Sequence, residues 1–532
     1  MQNSVWATRG MVVAPHALAA QAGVAILRDG GSAIEAMITA AAVIAVVYPH
    51  MNSIGGDSFW LIMPPDDAPY AIEACGPAAA RADIAWYRDR NLAAIPDRGP
   101  FSANTMAGTV GGWALALQLA SRHGGSKMAV SHLLRDAITY GRDGFAVTAS
   151  QAETTRQKID ELRTQPGFAD AFLMSGAVPA AGSLMRQSKL AATLEHLASS
   201  GLESYYRGDV ADAMAKDLAD LGSPLRREDF ADYRARLVEP VRLQHSAGNI
   251  FNMTLPTQGV ISLAILGIAE RAGLARLAVD SADYVHCLVE ATKQAFVLRD
   301  RYVTDPAYAP IPAREILDDQ RLSACAARID PHRAKPWRRG QNPSDTVWMG
   351  AVDRSGLAVS FIQSIYHEFG SGVVLPSTGV NWQNRGSSFR LDPTHLLALA
   401  PGKRPLHTLN PAAAHLTGGR NLVYGTMGGD GQPQTQAIVF SRIAVFGQSL
   451  QQSITGPRWL LGRTWGQNSD SLKMENRFGT DIVEDLRGRG HDVEVYPAFS
   501  EVMGHAGAIL RRPDGVLEGA YDPRSNGAAS GF

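Results

Sequence analysis

The N-terminal part of the chain shows the periodic apolar pattern of two packed helices. The first is predicted over 15–29 and ends at a glycine pair, and Ser32 then stands as the N-cap of a second helix that runs to Tyr48. The second helix contains the longest apolar run, AMITAAAVIAVVY at 36–48, which is too short to cross a bilayer and is followed at once by a proline. We therefore expect a buried helix here and no transmembrane segment.

Alternation of apolar and polar positions predicts strands in two other regions. SFWLIM at 58–63 follows a glycine pair and is predicted to be one strand. Near the middle of the chain, 346–352 and 357–365 alternate on either side of DRSG at 353–356, which predicts a hairpin. Thr346 would begin the first strand of this hairpin.

Between these regions the sequence is mainly helical. Residues 111–330 carry helix caps and glycine or proline stops, with a strand-like interval at 237–253, and they contain no obvious catalytic constellation. The segment RRGQNPS at 338–344 is polar, as a self-cleaving enzyme needs just before its nucleophile. Any surface loop could have the same composition.

Composition and charge exclude several classes of protein. With 532 residues, 45% hydrophobic and 19% charged, the chain is neither disordered nor fibrous. A net charge of −1 and scattered basic residues argue against a nucleic-acid partner. The first ten residues lack the pattern of a secretory signal, so a cytoplasmic location is expected. The three cysteines are far apart, without the spacing of a zinc site or a redox disulfide, and the absence of the G-x-S-x-G, P-loop and H-E-x-x-H motifs removes the usual support for serine esterase, P-loop NTPase and zincin chemistry. The chemistry considered next for Thr346 needs only an amine, a hydroxyl and backbone amides, so neither a metal nor an organic cofactor is expected.

Thr346 is the most informative candidate for chemistry. A threonine at the point where a polar loop becomes a strand can attack the preceding carbonyl, and hydrolysis of the resulting ester leaves a free α-amine beside its own Oγ. One residue then supplies a nucleophile and a general base. Taken alone, a threonine at a strand start is more typical of an ordinary β-strand. The hypothesis therefore depends on the rest of the chain.

Several segments together resemble the γ-glutamyltranspeptidase family of N-terminal nucleophile hydrolases. They follow in the family's order over nearly the whole chain: MVVAPHALAAQAGVAILRDGGSAIEAMITAAAVIAVVYPHMNSIGGDSF (11–59), GTVGGW (108–113), HCLVEATKQAFVLRDRYVTDP (286–306), the Thr346 hairpin with HEFGSG (367–372), RPLHTLNP (404–411) and MGGDGQPQ (427–434). The resemblance implies an α+β fold, a four-layer α-β-β-α sandwich. It also implies a precursor cut between Asp345 and Thr346 into a large chain, 1–345, and a small chain, 346–532, which remain one structural unit.

The resemblance further implies the catalytic residues. Thr346 would be the self-processing residue and the nucleophile, Ser364 would place a second hydroxyl beside it, and the backbone amides of Gly428 and Gly429 would form an oxyanion hole. Hairpin counting conflicts with the place of Ser364. A loop of two or four residues sets Gln363 opposite Thr346, and only a loop of five sets Ser364 there. A solvated strand serine and a tight glycine turn are the structural alternatives.

The positions that would bind substrate depart from the family pattern. The arginine that holds the γ-glutamyl α-carboxylate is replaced by Glu73, whose charge would repel that group, and the acidic residue for the α-amine falls on Ser388. The remaining substrate contacts are changed as well: Tyr366, Arg385, His407 and Thr408. Arg385 could bind a substrate carboxylate through a bidentate pair or lie in solvent. His407 could hydrogen-bond a polar substrate or cap a turn.

These departures favour a small substrate. The segment 389–405 is shorter than the lid loop of typical transpeptidases, so hydrolysis is expected to outrun transfer. The chain resembles the branch of the family that hydrolyses oxamate in purine breakdown, which fits one arginine and the lost amino-acid contacts. A γ-glutamyl hydrolase, transpeptidase or acylase is the alternative. An uncut binding or scaffold protein is another, since Val347-Trp348 replace the family's threonine and histidine. A homodimer is left open.

Overall fold

The computed structural model describes residues 3–121, 128–337, 345–463 and 469–532, with Asp345 described by its backbone alone. The polar stretch at 338–344, expected just before the cleavage point, lies outside the described residues.

Nineteen strands and eighteen α-helices lie within these ranges. The strands are β1 Val5–Ala7, β2 Met11–Ala14, β3 Asp57–Met63, β4 Tyr70–Ala74, β5 Phe145–Ala146, β6 Leu184–Met185, β7 Arg236–Val238, β8 Val241–His245, β9 Gly248–Asn252, β10 Asp345–Val352, β11 Ala358–Tyr366, β12 Ala412–Leu416, β13 Arg420–Thr426, β14 Trp459–Leu461, β15 Leu472–Glu475, β16 Val493–Tyr496, β17 Ala506–Arg511, β18 Leu517–Tyr521 and β19 Ala528–Gly531. The helices are α1 Ala17–Arg28, α2 Ala33–Val47, α3 Ile84–Arg88, α4 Thr109–Ala120, α5 Val130–Asp143, α6 Ala149–Leu162, α7 Phe168–Phe172, α8 Ser188–Ser200, α9 Ser204–Arg207, α10 Asp209–Asp220, α11 Arg227–Asp232, α12 Gly259–Arg271, α13 Ala282–Tyr302, α14 Ala313–Ile316, α15 Asp319–Ala326, α16 Gly431–Phe440, α17 Leu450–Thr455 and α18 Thr480–Gly488.

Two seven-stranded antiparallel sheets form the centre of the fold. Sheet A has the order β1-β18-β17-β13-β12-β9-β8, and sheet B has the order β19-β2-β10-β11-β3-β4-β7. Strands from before and after residue 345 are mixed in both sheets. In sheet B, β2 and β3 flank the β10–β11 hairpin, and in sheet A, β1 and β9 flank the four strands from β18 to β12.

Three apolar cores show how the layers stack. The core between the sheets contains side chains from both, such as Phe59 and Trp348 from sheet B and Val423 and Ile509 from sheet A. A second core lies between sheet B and a helical layer that includes α1, α2, α4, α5 and α8. A third lies between sheet A and a layer that includes α12, α13 and α16. The order is helix, sheet, sheet, helix, so the predicted four-layer α-β-β-α sandwich is confirmed.

The two N-terminal helices agree with the sequence pattern. At the start of α2, the Ser32 hydroxyl accepts a hydrogen bond from the Glu35 N–H over 3.3 Å, and the Glu35 carboxylate accepts one from the Ser32 N–H over 2.8 Å. Every residue of α2 is buried, as a helix that is apolar on all sides requires. No helix in the described ranges has both the length and the apolar character needed to cross a bilayer.

The β10–β11 hairpin resolves the conflict over loop length. The strands pair from Val347 with Gln363 to Val352 with Ala358, so the connecting loop has five residues, 353–357. The second strand begins one residue later than the alternation indicated. Continued by one pair, this register sets Ser364 beside Thr346, where a bulge shifts the pairing.

Candidate active site

Thr346, Ser364 and Asp57 lie on three neighbouring strands of sheet B. The ladder pairs Ser364 directly with Asp57 on β3. In each of these strands, the residue two positions away packs in the core between the sheets. Because side chains alternate along a strand, all three polar groups belong to the face of sheet B that meets sheet A. The site therefore lies at one end of the interface between the sheets.

Gln432 contacts the predicted nucleophile. Thr346 is buried, and Gln432 Nε2 donates a hydrogen bond to its Oγ1 over 3.4 Å. Gln432 Oε1 accepts a hydrogen bond from Asn410 Nδ2 over 3.1 Å, which fixes the orientation of the amide group. Gln432 was part of the MGGDGQPQ motif, but the sequence assigned it no role. Its position three residues after the glycine pair was the available signal.

Gly428 and Gly429 lie just before α16. Their φ angles are 112° and 52°, in the left-handed region that glycine adopts without strain. The Gly431 N–H donates to the Gly428 carbonyl over 2.7 Å, and Gln258 Nε2 donates to the Gly429 carbonyl over 2.8 Å. In the described part of the chain, neither glycine's own N–H donates a hydrogen bond. The pair thus forms a turn and also leaves two amides for an anion at a helix N-terminus.

A cavity of about 410 Å³ lies beside these groups. It is lined by Arg299, Asp300, Val303, Tyr366, Arg385, Ser388, Arg390, His395, Leu396, Leu397, Leu406, Thr408 and Asp430. Tyr366, which pairs with Asp345 across the hairpin, and Asp430, which follows the glycine pair, connect it to the strand end that carries Thr346. The structure therefore brings Tyr366, Arg385 and Thr408, three of the candidate substrate-binding residues, to the wall of one cavity.

Arg385 is a buried cation on the cavity wall. Its guanidinium carbon lies 3.9 Å from the centroid of the Tyr366 ring. Nη1 donates to Thr408 Oγ1 over 3.3 Å, and Nη2 donates to the carbonyl of Leu406. Nε has no hydrogen-bond partner among the described residues. Burial lowers the pKa of Arg385, yet an arginine keeps its charge at neutral pH. Arg385 can therefore donate to a substrate anion.

Four further charged residues, to which the sequence assigned no role, also line the cavity: Arg299, Asp300, Arg390 and Asp430. Arg299, near the end of α13, binds Asp430 with 3.1 Å between Nη1 and Oδ1. Burial raises the pKa of Asp430, and the nearby Arg299 opposes that shift. Ser388 also lines the cavity, and its buried hydroxyl has no partner within the described ranges.

Glu73 lies outside the lining of this cavity. Its buried carboxylate binds Arg236 on the edge strand β7 and Arg404, and Arg404 also binds Asp305 with 2.7 Å between Nη2 and Oδ1. Burial raises the pKa of Glu73 to about 7, against the effect of Arg236. The expected repulsion of a substrate carboxylate needs correction, because two guanidinium groups balance the charge of Glu73.

His407 forms a buried pair with Asp57 and is likewise not part of the cavity lining. His407 Nε2 lies 2.9 Å from Asp57 Oδ2. Asp57 Oδ1 accepts hydrogen bonds from the N–H groups of Gly76 (3.2 Å) and Gly108 (3.0 Å) and from Gln383 Nε2 (3.1 Å). Burial raises the pKa of Asp57 to about 8 and holds the pKa of His407 well below its usual value. Since Oδ1 already has three donors, a neutral Asp57 carries its proton on Oδ2 and donates it to His407.

We expect Asp57→Asn to remove a loss of stability at alkaline pH. A carboxyl whose pKa is raised on folding makes its full contribution to the stability of the folded state below its unfolded pKa of about 4. This contribution is lost as the pH rises through the pKa of the folded state, about 8. Between pH 7 and 8.5 the unaltered pair should lose about 1 kcal/mol of unfolding free energy. An asparagine amide can make the same donation to His407 without titrating.

Urea unfolding at both pH values measures this difference, with Thr346→Ala as the background so that the chain stays in one piece. Asp217→Asn is the matched control, because Asp217 is a buried aspartate whose carboxylate binds Ser377 (2.9 Å) outside this site. An Asp57→Asn protein that keeps the full alkaline loss would show that Asp57 is ionised in the folded state.

The four-layer sandwich, with a threonine at the start of a central strand beside a glycine pair, is the arrangement of an N-terminal nucleophile hydrolase, an amide-hydrolysing enzyme. The chain belongs to the γ-glutamyltranspeptidase family, since residues 19–532 match the family described as gamma-glutamyltranspeptidase. The resemblance inferred from the sequence is confirmed.

Two relatives and one solved structure are similar over essentially the whole chain. The oxamate amidohydrolase proenzyme of Klebsiella pneumoniae is 57% identical, with 100% of both chains covered. The glutathione hydrolase-like YwrD proenzyme of Bacillus subtilis is 38% identical, again with 100% of both chains covered. The cephalosporin acylase of Bacillus halodurans superposes with a TM-score of 0.91 at 32% identity and covers 100% of this chain and 97% of its own.

Proposed function

We propose that this protein is a self-cleaving amidohydrolase for a small amide of a carboxylic acid, with oxamate as the leading candidate. The observation that carries the proposal is Arg385, a buried guanidinium held against Tyr366 at the wall of a cavity that borders the strand end of Thr346. The similarity to the Klebsiella oxamate amidohydrolase proenzyme supports oxamate. A role in purine catabolism, implied by the resemblance, belongs to the same proposal.

Cleavage between Asp345 and Thr346 would produce the active form. Thr346 lies in the bulge at the start of β10, where the ladder is interrupted and the peptide bond before it is not fixed by regular pairing. The relatives' names describe proenzymes, which agrees with a chain that must be cut. Residues 1–345 and 346–532 would stay together, since both contribute strands to sheet A and to sheet B.

After cleavage, the new α-amine of Thr346 would take the proton from Oγ1 as Oγ1 attacks the amide carbonyl. Gln432 would orient the hydroxyl, and Ser364 would lie beside it on β11. The N–H groups of Gly428 and Gly429 would bind the oxyanion. Ammonia would leave with a proton returned by the α-amine, and water would hydrolyse the ester.

Oxamate suits this arrangement because its carboxylate lies next to the reacting carbonyl. The tetrahedral intermediate then carries two negative charges on adjacent carbons, and a nearby buried cation lowers the energy of that state more than it lowers the energy of the bound substrate. Arg385 can supply this charge through a planar fork.

A larger amide of the kind that acylases or γ-glutamyl hydrolases cleave is the second candidate. One observation favours it: a cavity of about 410 Å³ offers more room than the few atoms of oxamate need. Ser388 and Thr408 could then hydrogen-bond the additional part of the substrate.

Two measurements test the proposal. Denaturing electrophoresis of the purified protein should show two bands, the smaller beginning at Thr346, whereas a single intact chain would favour the scaffold alternative. Ammonia release from oxamate should then exceed p-nitroaniline release from γ-glutamyl-p-nitroanilide by at least about 10²-fold in kcat/KM, if Arg385 serves one carboxylate and no amino-acid head group is bound. A preference for the γ-glutamyl compound would establish the second candidate instead.

A further inference from the structure

A second group of ligand-type side chains lies away from the cavity. His286 and Glu290 are on α13 and His491 follows α18, all three buried, with one ligand atom of each within 4.8 Å of the others. Arg299 at the cavity is on the same helix as His286 but about 20 Å further along it, at 1.5 Å per residue. We propose that His286, Glu290 and His491 form a binding site for a divalent transition-metal ion of the zinc type. This departs from the expectation, based on the sequence, that no metal is bound.

Local structure brings the three residues together. His286 and Glu290 are four residues apart on one helix and so share a face. Gly490, with a φ of 95°, ends α18 in the left-handed conformation, and the His491 N–H donates to the Leu486 carbonyl over 3.1 Å. This helix end turns the imidazole of His491 toward α13.

The hydrogen bonds of His286 suit a metal ligand. Its Nε2 lies 2.8 Å from the Asp330 carbonyl, which can only accept, so the proton is on Nε2 and Nδ1 keeps its lone pair. A histidine that binds a metal usually donates its other N–H to such a carbonyl. His286 Nδ1 faces His491 Nε2 over 2.8 Å. An ion would replace the proton between them while His491 keeps one on Nδ1, and the rings would part by about half an ångström to give Zn–N bonds of about 2.0–2.1 Å.

Glu290 retains room for an ion. Its Oε1 accepts from Lys293 Nζ over 2.7 Å, and the Lys335 N–H lies 3.2 Å from Oε1 and 3.3 Å from Oε2. Each carboxylate oxygen has two lone-pair sites, so Oε2 can bind a metal. The charge of Lys293 lowers the affinity for a cation, whereas that of Arg489 is balanced by Asp283 and Asp485, each 2.6 Å away. Two imidazoles and one carboxylate are a ligand set that zinc accepts, with a fourth position for water.

The ion would join the two parts of the chain. His286 and Glu290 precede residue 345, and His491 follows it. Neighbours of the three ligands also contact the segment 330–335. Lys293 Nζ donates to the Lys335 carbonyl over 2.6 Å, and the Ala334 N–H donates to the Arg489 carbonyl over 2.8 Å. A bound ion would therefore stabilise the contact between the large and small chains. This consequence rests on the proposed cleavage, but ion binding itself does not.

Calorimetric titration of untagged, chelator-treated protein with Zn²⁺ tests the proposal. We expect one ion per chain, a few degrees' rise in Tm, and an affinity at least roughly tenfold weaker for His491→Gln. His415→Gln is the matched control, since His415 is a half-buried histidine on sheet A that forms a hydrogen bond with Asn421 (2.7 Å). The His415→Gln protein should bind Zn²⁺ as the unaltered protein does. The uncut Thr346→Ala protein should also bind one ion, which separates this inference from the proposed cleavage.

Absence of one-to-one binding, or unchanged binding by His491→Gln, overturns the proposal. If His491→Gln does not fold, anomalous scattering at the zinc edge from crystals of the unaltered protein decides the matter. A peak between the three side chains supports the site, and no peak there rejects it.

Discussion

Thr346→Ala is expected to remain a single chain and to hydrolyse amides at least about 10⁴-fold more slowly than the unaltered protein. Alanine has no hydroxyl to attack the preceding carbonyl, so the α-amine is never released, and the acyl-enzyme cannot form. Denaturing electrophoresis measures the first effect and ammonia release from oxamate measures the second. The loss should lie in kcat, because the cavity residues that bind the substrate are unchanged.

Two other variants make this test specific. Thr346→Ser keeps a hydroxyl and should be cut and active, although more slowly. Thr193→Ala is the matched control. It removes a buried threonine hydroxyl on α8 that donates to the Thr378 carbonyl over 2.8 Å, and this variant should be cut and should hydrolyse amides like the unaltered protein. Full activity in an uncut Thr346→Ala chain would place the nucleophile at another residue.

Arg385→Ala should reduce kcat/KM for oxamate by roughly 10²-fold or more, equivalent to about 3 kcal/mol. The guanidinium is buried, so its contact with a substrate carboxylate is not screened by water. The loss should fall mainly on kcat, because the guanidinium stabilises the doubly charged tetrahedral intermediate more than the bound substrate. Arg385→Lys should recover part of the activity, because it restores the charge but neither the planar fork nor the stacking on Tyr366.

Oxamide, in which the carboxylate of oxamate is replaced by a second amide, is the matched control substrate. Arg385→Ala should have little effect on the slow hydrolysis of oxamide if the role of Arg385 is to bind the carboxylate. Arg390→Ala is the matched control variant, since Arg390 lines the same cavity but is exposed, and its loss should be smaller. Equal losses with both substrates would mean that Arg385 supports the fold of the site instead.

The sequence predicted those features that depend on local rules. The N-cap of α2 at Ser32, the buried helix and the β10–β11 hairpin follow from residue spacing alone, and the family resemblance supplied the order of the layers. The hairpin loop was the local exception. Leu357 continued the alternation, so the pattern placed the strand start one residue before the ladder begins.

Contacts between distant segments could not be obtained in this way. Asp57 and His407 are separated by 350 positions, and neither the spacing nor the polarity of their surroundings indicates that they pair. Glu73 shows the same limitation, because its charge is balanced by Arg236 on an edge strand and by Arg404 far along the chain. An ion pair leaves no periodic signal in the sequence, and only the packed sheets show which side chains meet.

The mixing of strands on either side of residue 345 has a consequence for how the molecule is made. Neither piece contains all the strands of sheet A or of sheet B, so neither offers a complete central sheet on which its own strands could assemble. The intact polypeptide therefore has to fold first, while the connection keeps both halves at high effective concentration. Once that connection is gone, an unfolded molecule would need a bimolecular encounter between two aggregation-prone fragments to regain its shape, and the mature enzyme would depend on slow unfolding for its lifetime.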